Sequence, residues 1–430
     1  MSERRAITGV RLLDPASGLD APGGVVIEGE LIADFGPHLH GSAPEDALVI
    51  EGGGACLAPG LVDMRVQLGE PGAEHKETYD SGTAAAAAGG VTSFACLPNT
   101  VPPIDDPAMV EFVARRARQL KRAKVYPYGA ITRGCAGSGL AELALLQEAG
   151  AVGFTDGYRA VADSLVMRRA MAYASALDGL IIQHPEDPAL AAGGTMNEGE
   201  IATRLGLAGI PALAEVIMVE RDLRLVEATG CRYHVAHIST AAAVEAVRRA
   251  KARGLPVSAE AAPHHFALNE LEVEGYRTFA KTSPPLRSEA DRRAVAAGLA
   301  DGTIDAIASD HCPQDQDSKR LPFAQAEFGV VGLETLLPIS LQLVHDGSMS
   351  LLAVLERLTC TPADLLGLDA GRLRKGAPAD LILFDPEAPW KIREEGLRSL
   401  SKNTPFDGRP VQGRVLRTLV DGRTIFEAPH

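Results

Sequence analysis

Between about residues 57 and 365, short apolar runs alternate with amphipathic stretches along the chain. The apolar runs do not alternate with polar positions, as expected for strands that are buried on both faces of a parallel sheet. The amphipathic stretches between them predict helices, for example Asp106–Leu120, Glu142–Ala149 and Ala241–Ala252. The pattern predicts eight strands: Leu61–Val66, Val91–Cys96, Val125–Gly129, Ala151–Thr155, Leu180–Gln183, Tyr233–Ala236, Val257–Ala259 and Ile304–Ala308.

Eight units of strand followed by helix favour an α/β fold, a (β/α)8 TIM-type barrel, whose chemistry collects at the carboxyl ends of the strands. A doubly wound open sheet is the alternative, although no Gly-x-Gly-x-x-Gly follows the first strand.

Both ends of the chain show a different pattern, in which short runs alternate apolar and polar positions between Gly and Pro. This pattern is typical of antiparallel strands. Because chain termini often lie close together, we expect the two ends to complete one β-sandwich. The expected domains are residues 1–56 and 366–430 for the sandwich and 57–365 for the barrel. The predicted terminal strands are Ala6–Leu12, Gly24–Ile27, Leu31–Phe35, Asp380–Phe384, Gly413–Val420 and Arg423–Phe426.

Composition narrows the class of protein. A chain of 430 residues can form one large barrel with a smaller appended unit. Its formal charge of −14 argues against nucleic acid and anionic membranes as partners, since both require a basic face. The six cysteines show no Cys-x-x-Cys spacing, which favours free thiols in a reducing compartment. The first residues lack an apolar signal region and no run is long enough to span a membrane, so we expect a cytoplasmic protein.

Candidate metal-binding or catalytic residues follow four of the predicted strands. Asp156 follows the fourth strand, His184 the fifth, His237 the sixth and Asp310 the eighth. A single histidine at a strand end is more often a structural residue than a ligand. Two imidazoles and two carboxylates at strand ends that meet at one barrel mouth instead favour a zinc site, because zinc is bound by these groups and polarises a carbonyl or activates water.

Around these residues the chain resembles the dihydroorotases, zinc amidohydrolases that make and open the dihydroorotate ring. The resemblance spans nearly the whole chain and rests on many short motifs in the same order. Asp156 stands where hydantoinase-like relatives carry a carboxylated lysine, which favours the dihydroorotase branch. The matching stretches are Val62-Asp63-Met64-Arg65-Val66-Gln67-Leu68-Gly69-Glu70-Pro71-Gly72, Pro98-Asn99-Thr100, Met196-Asn197-Glu198-Gly199-Glu200, Pro263-His264-His265, Pro284-Pro285-Leu286-Arg287, Gly332-Leu333-Glu334-Thr335 and Asn403-Thr404-Pro405-Phe406.

The resemblance implies which residues would hold metal. The second metal of the family would be bound by Asp156, His184 and His237, all of which are present. The first metal would need the two histidines of a His-x-His-x-Arg motif together with Asp156 and Asp310, and this chain has Arg65 and Gln67 in place of the histidines. By this resemblance Asp310 is also the general base. We therefore expect zero or one zinc ion per chain.

By comparison with the family, this chain also retains fewer of the residues that bind the substrate. The family clamps the substrate carboxylate with the arginine of the same motif, the Asn of Pro-Asn-Thr, a second Asn and a His. This chain has Gly69, Asn99, Ser283 and Gln314 at these positions, so only Asn99 is retained. Loss of the bidentate guanidinium removes a strong contact that glycine does not replace.

Two functions fit this pattern best, and a binding module that uses the pocket without turnover is a further alternative. The first is a non-catalytic relative of pyrimidine biosynthesis that serves as a structural partner of aspartate transcarbamoylase, as some dihydroorotase homologues with eroded sites do. The second is an active hydrolase of dihydroorotate or another cyclic amide, which would use one zinc ion with Asp156, His184, His237 and Asp310. The resemblance also implies a homo-oligomer and, if the chain is active, a small-molecule substrate.

Arg65 carries the sharpest expectation. With no ion between the buried carboxylates, an unpaired negative charge would be costly, so we expect the Arg65 guanidinium to pair with Asp310, Asp156 or both. The pairing should then lower the pKa of Asp310 and make it a poorer base. In the alternative, the Arg65 side chain extends to solvent at the barrel mouth.

Overall fold

The computed structural model describes residues 4–429, whose central part is a parallel barrel. Its strands are almost entirely buried, as their apolar runs predict. The bridges Gly129–Phe154–Ile181 join the two groups of strands on one side, and the bridge Val66–His311 closes the barrel between the first and last strands. The barrel strands are Leu61–Val66, Val91–Cys96 and Lys124–Pro127 in one ladder, and Leu180–Gln183, Arg232–Val235, Val257–Ala261 and Ala306–Ile307 in the other.

Helices cover the barrel, and side-chain caps define several of their first turns. The side chain of Asp106 accepts a hydrogen bond from the Ala108 backbone N–H and Pro107 follows at the first helical position, two features that favour a helix start. Thr240 caps its helix through the Ala243 N–H. The α-helices are Tyr79–Ala88, Pro107–Leu120, Leu143–Glu148, Ser164–Ser175, Pro188–Ala191, Glu200–Leu205, Leu213–Thr229, Ala241–Ala252, Pro263–Ala267, Glu289–Ala300, Gln316–Lys319, Leu336–Ser340, Gln342–His345, Leu351–Leu358 and Cys360–Leu366.

The two ends of the chain form one sheet. Strand Cys56–Pro59 connects its halves, since it pairs with Arg4–Asp14 on one side and with Leu381–Lys391 on the other. One apolar core contains residues from both halves, among them Ile7, Val25 and Leu419, so the sheet folds over this core as a β-sandwich. Its strands are Arg4–Asp14, Leu19–Glu28, Leu31–Gly36, Leu48–Glu51, Cys56–Pro59, Leu381–Lys391, Pro410–Val420 and Arg423–Glu427.

The predicted fold class, a TIM-type barrel with a β-sandwich made from both ends, is confirmed. Within it, the fourth barrel strand is reduced to bridges at Phe154, and the strands Leu48–Glu51 and Cys56–Pro59 were not predicted. The domain boundaries remain a prediction.

The remaining elements are short. They are a pair of two-residue strands, Met196–Asn197 and Gly209–Ile210, and five 3-10 helices: Pro37–Leu39, Arg133–Cys135, Glu270–Val273, Thr278–Ala280 and Glu394–Gly396.

All six cysteines are free thiols in buried positions. Across residues 4–429, helices of sufficient length and apolar character to cross a membrane are absent.

Candidate active site at the barrel mouth

The candidate residues lie at the carboxyl ends of barrel strands. Strands Leu180–Gln183 and Arg232–Val235 are neighbours that pair in parallel. His184 directly follows the first of these strands, and His237 lies two residues beyond the second. Asp310 and Arg65 come together because the bridge Val66–His311 holds the last strand against the first. His237 and Asp310 have φ angles of 33° and 49°, a left-handed conformation that is uncommon for residues other than glycine. Such strained backbone is often found at functional sites.

Arg65 and Asp310 form a buried ion pair. The Arg65 Nε donates to Asp310 Oδ1 at 2.9 Å, and Nη2 donates to the Gly157 carbonyl at 3.1 Å. The two side chains are 1% and 5% exposed. The Tyr158 ring covers the pair, since its centre lies 4.8 Å from the Arg65 guanidinium carbon and its hydroxyl donates to Asp310 at 3.2 Å. The predicted pairing with Asp310 is therefore confirmed.

Burial opposes the charge of both partners. It raises the pKa of Asp310 to about 6, although Arg65 acts in the opposite direction. Burial also disfavours the charged form of Arg65, but Asp310 outweighs this effect with the help of Tyr158 and Glu260, and the pKa of Arg65 is raised. The pairing acts in the expected direction and lowers the Asp310 pKa, but the net pKa lies above its ordinary value because the loss of hydration outweighs the attraction of one guanidinium.

His184 and His237 are hydrogen-bonded to each other. Their Nδ1 and Nε2 atoms are 3.0 Å apart. Burial, followed by the charge of Arg65, lowers the pKa of His237 well below its usual value, so this imidazole is neutral. Within the described part of the chain, His237 Nδ1 has no hydrogen-bond partner. On the outer side, His184 Nε2 lies 3.8 Å from a carboxylate oxygen of Glu186.

Two further histidines extend this pair, and the sequence did not point to them as site residues. The rings of His237 and His265 lie 6.5 Å apart, and those of His265 and His264 lie 4.3 Å apart. His264 Nε2 is 3.8 Å from Asp310. Burial lowers the pKa of His265 to about 4 and that of His264 well below its usual value. The signal was present in Pro263-His264-His265, but the distance between this segment and the other strand ends cannot be read from the sequence.

Asp156 has a different set of partners. One carboxylate oxygen accepts the Thr132 backbone N–H at 2.9 Å and the other accepts the Thr132 hydroxyl. The Asn99 amide donates to the Asp156 backbone carbonyl at 2.8 Å. Burial raises the pKa of Asp156 to about 6. The predicted candidates thus separate into the pair Arg65–Asp310, the pair His184–His237 and an Asp156 carboxylate that is bound by Thr132.

The remaining predicted positions are occupied as follows. The Gln67 amide donates to the Leu68 and Asn99 carbonyls at 2.9 and 3.2 Å. The Ser283 hydroxyl donates to Glu186 at 3.2 Å, and the Gln314 side chain accepts from Lys76 at 2.8 Å. Gly69 lies in a tight turn, where an added Cβ would stand 2.1 Å from the Ala73 carbonyl oxygen.

Tyr158 lines two spaces at the barrel mouth. A cavity of about 240 Å³ is lined by Tyr158, Asp310, Ser283 and Gln314. A second space, of about 330 Å³, is lined by Tyr158, His184 and Glu186. Asp310 lines the first of these spaces and His184 lines the second.

This arrangement does not fit a zinc ion. Zinc requires three protein ligands directed at one point, with water in the fourth position. Here the hydrogen bond between His184 and His237 occupies one ring nitrogen of each, the Asp156 carboxylate faces Thr132, and the Asp310 carboxylate faces a cation. Over residues 4–429, a group of three or more His, Cys, Asp or Glu side chains arranged to hold a metal is absent.

Comparisons with known proteins agree with the resemblance in the sequence. Residues 54–243 match the family described as "Dihydro-orotase-like". The chain is 47% identical over 427 residues to a dihydroorotase of Anaplasma phagocytophilum (strain HZ), covering 98% of this chain and 95% of that protein. It is 46% identical over 422 residues to a dihydroorotase of Geobacter sp. (strain M21), covering 98% and 99%.

Solved structures similar to this one share both the barrel and the sandwich. An L-hydantoinase (dihydropyrimidinase) from Arthrobacter aurescens superposes with a TM-score of 0.88 at 27% identity, covering 99% of this chain and 96% of that one. A dihydropyrimidinase from Brevibacillus agri gives a TM-score of 0.85 at 23% identity, covering 99% and 95%. The second likeness concerns the fold alone.

Proposed function

The chain belongs to the dihydroorotase family of amidohydrolases, and from this premise we propose that it is a non-catalytic member of that family. The observation that carries the proposal is the buried ion pair between Arg65 and Asp310. By the resemblance in the sequence, Arg65 stands at a metal-ligand position and Asp310 is the general base. A cation held against that base repels a divalent ion from the place where the ion would have to bind.

The pair also interferes with proton transfer. A general base must lie within hydrogen-bond reach of the proton that it takes. Asp310 instead accepts from Arg65 at 2.9 Å and from the Tyr158 hydroxyl at 3.2 Å, and the Tyr158 ring lies over the pair. Positioning and electrostatic stabilisation supply much of enzymatic catalysis, so the loss of both reduces turnover by orders of magnitude.

Substrate positioning is weakened in the same way. The substrate clamp that the resemblance implies has lost its guanidinium at Gly69, and the retained Asn99 amide binds the Asp156 carbonyl. Gln314 is held by Lys76 and by the Phe328 carbonyl, at 2.8 Å in each case. The Asn99 and Gln314 amides are thus held by contacts within the protein, with which a substrate carboxylate would have to share or compete.

The test is elemental analysis of the purified protein together with a dihydroorotate assay in both directions. We expect no stoichiometric zinc and no turnover above that of the Asp310→Asn variant, which serves as the control for contaminating activity. Turnover near 10 per second, a typical enzymatic rate, that disappears in Asp310→Asn would refute the proposal.

A second candidate, an active hydrolase with a single zinc ion, is supported by one observation. His184 and His237 lie 3.0 Å apart and the Nδ1 of His237 is buried without a partner in the described chain, so a rotation of the rings would free two nitrogens for a metal. This candidate requires Asp156 to leave Thr132. One zinc ion per chain, lost in a His184→Asn variant together with activity, would favour it over the non-catalytic role.

For the non-catalytic role we further propose that the chain is a structural partner of aspartate transcarbamoylase. The support is family resemblance together with an intact barrel and sandwich, which would be retained for assembly when chemistry is lost. Size-exclusion chromatography of a mixture with the transcarbamoylase of the same organism should give a shared peak. Two separate peaks at micromolar concentrations of both proteins would reject the partnership.

A further inference from the structure

A second recess lies between the sandwich and the barrel. Its walls come from strands Leu381–Lys391 and Pro410–Val420, from the 3-10 helix Glu394–Gly396 and from the segment that holds Glu334. The volume of this aromatic–cationic cleft is about 390 Å³, within the range of small-molecule sites. Its lining shares no residue with the barrel mouth.

One side of the aromatic–cationic cleft is apolar. It contains the half-buried rings of Trp390 and Phe426 and the side chain of Val415. The Trp390 indole is fixed in orientation because its Nε1 donates to the Gly413 carbonyl at 2.8 Å. Stacking of another ring or a cation on this indole is absent among residues 4–429. A fixed, half-exposed indole offers a flat surface on which a planar ligand can stack.

The rim of the aromatic–cationic cleft is cationic. Lys391, Arg393 and Arg398 are exposed at its edge, and an ion pair to any of these side chains is absent in the described part of the chain. Arg414 donates only to the Pro429 carbonyl, at 3.3 Å. Four cations at one recess, with Glu334 as the single carboxylate of its lining among residues 4–429, are unexpected in a chain of formal charge −14.

A neighbouring recess provides a contrast. It is lined by Arg118, Arg122, Lys124 and other residues. There Arg122 pairs with Asp80, and Lys124 pairs with Asp380 at 2.7 Å. The cations of that recess are therefore partly neutralised by the protein itself, whereas those of the aromatic–cationic cleft are not.

Among residues 4–429, the carboxylate that lines the aromatic–cationic cleft is that of Glu334. It accepts the backbone N–H groups of Arg398 and Ser399 at 2.7 and 3.0 Å, and so holds the segment of Arg398 in place. Burial raises the pKa of Glu334 to about 7, which reduces its negative charge near neutral pH. The residues that line the cleft therefore carry four cations and one carboxylate whose charge is reduced near neutral pH.

We propose that this cleft binds a phosphorylated aromatic small molecule of the nucleotide class, with its base stacked on Trp390 and its phosphates bound by Arg393, Arg398 and Lys391. Guanidinium groups recognise phosphate through paired, charge-assisted hydrogen bonds. An indole face together with a cationic rim selects a ligand that carries both a ring and an anion. The site is independent of catalysis at the barrel mouth, so it stands whether or not the chain is a hydrolase.

The test uses Trp390 as its own reporter, because it is the only tryptophan in the chain. Adenosine triphosphate and uridine triphosphate are titrated in parallel with inorganic triphosphate and with the two nucleosides. Binding is followed by calorimetry and by quenching of the Trp390 emission. We expect saturable binding of at least one nucleotide, at least tenfold tighter than that of inorganic triphosphate or of either nucleoside, and weakened by added salt because the cations are exposed.

Variants assign the binding to this cleft. Arg393→Glu with Arg398→Glu should weaken nucleotide binding at least tenfold, and Trp390→Leu should do the same when binding is followed by calorimetry. Arg118→Glu is the matched control, since Arg118 is an exposed arginine of the neighbouring recess, and it should leave binding unchanged. Circular dichroism and thermal melting establish that each variant is folded.

Several results would overturn the proposal. They are the absence of saturable nucleotide binding at millimolar concentration, binding that the double charge reversal does not weaken, and inorganic triphosphate binding as tightly as the nucleotides. A hexaglutamate peptide that binds more tightly than either nucleotide would assign the surface to an acidic protein segment instead and would reject the nucleotide site.

Discussion

Removal of one partner of the ion pair between Arg65 and Asp310 should be strongly destabilising. In an Arg65→Met variant, Asp310 remains buried, with its side chain 5% exposed and its guanidinium partner lost. Breaking a buried pair in this way costs about 3–5 kcal/mol, because an uncompensated charge is left behind. The hydrogen bond from Arg65 to the Gly157 carbonyl is lost as well. We therefore expect the apparent free energy of unfolding, measured by urea denaturation, to fall by roughly this amount.

The matched control is the same substitution in an exposed ion pair. Arg204 and Glu274 form such a pair, with side chains that are 54% and 52% exposed. Because exposed pairs contribute about 0–1 kcal/mol, Arg204→Met should cost less than about 1 kcal/mol. The control separates the loss of a charge from the loss of a buried partner.

A double-mutant cycle then isolates the interaction. Asp310→Asn alone leaves Arg65 without its carboxylate, whereas the double variant Arg65→Met with Asp310→Asn removes both charges. Replacement of a whole buried pair is often close to neutral, so the double variant should be more stable than Arg65→Met, with a coupling of about 2–3 kcal/mol. A coupling near zero, or an Arg65→Met cost no larger than that of Arg204→Met, would show that the pair does not hold the barrel mouth together.

Three further outcomes are expected. The double variant Arg65→His with Gln67→His should acquire zinc detectable by elemental analysis, since it replaces the cation by two neutral ligands; zinc content equal to wild type would contradict this. Gly69→Ala should lower the free energy of unfolding by about 1–3 kcal/mol, because its Cβ would stand 2.1 Å from the Ala73 carbonyl oxygen; an unchanged urea midpoint would refute this. The pKa of Glu334 is raised by burial to about 7, so protonation stabilises the fold at low pH and this contribution is lost as pH rises through 7. Glu334→Gln should therefore show a smaller fall in melting temperature from pH 5 to pH 8 than wild type. An equal fall would show that Glu334 does not contribute to the pH dependence of stability.

The barrel was predictable because buried parallel strands leave a strong apolar signal. Strands Leu61–Val66, Val91–Cys96 and Leu180–Gln183 have the bounds that their runs predict. Short strands are harder to predict, since Leu48–Glu51 owes its pairing to Arg4–Asp14 rather than to its own four residues. Tertiary context also reduced the predicted strand Ala151–Thr155 to a bridge at Phe154.

One part of the candidate site, the pairing of Arg65 with Asp310, could be predicted from the balance of charge at the barrel mouth. A cation can compensate a buried Asp310, and Arg65 is the cation on the adjacent strand, so their pairing could be expected from the sequence once the barrel is assumed. The partner of Asp156 was not predictable in this way, because either a neighbouring hydroxyl or a cation can satisfy a carboxylate. Thr132 was missed for this reason, and Tyr158 was missed because a ring that covers a pair has no motif of its own.

The sheet that joins both ends of the chain has a consequence for synthesis on the ribosome. Strand Cys56–Pro59 emerges early, but one of its edges has no partner until Leu381–Lys391 is made, roughly 320 residues later. The barrel lies between these strands and can fold as a unit in the meantime, whereas pairing over so long a separation is slow. Docking of the C-terminal strands is therefore a late step of biogenesis. A chain whose translation stops before residue 381 carries an open strand edge, which is a template for aggregation with other nascent chains.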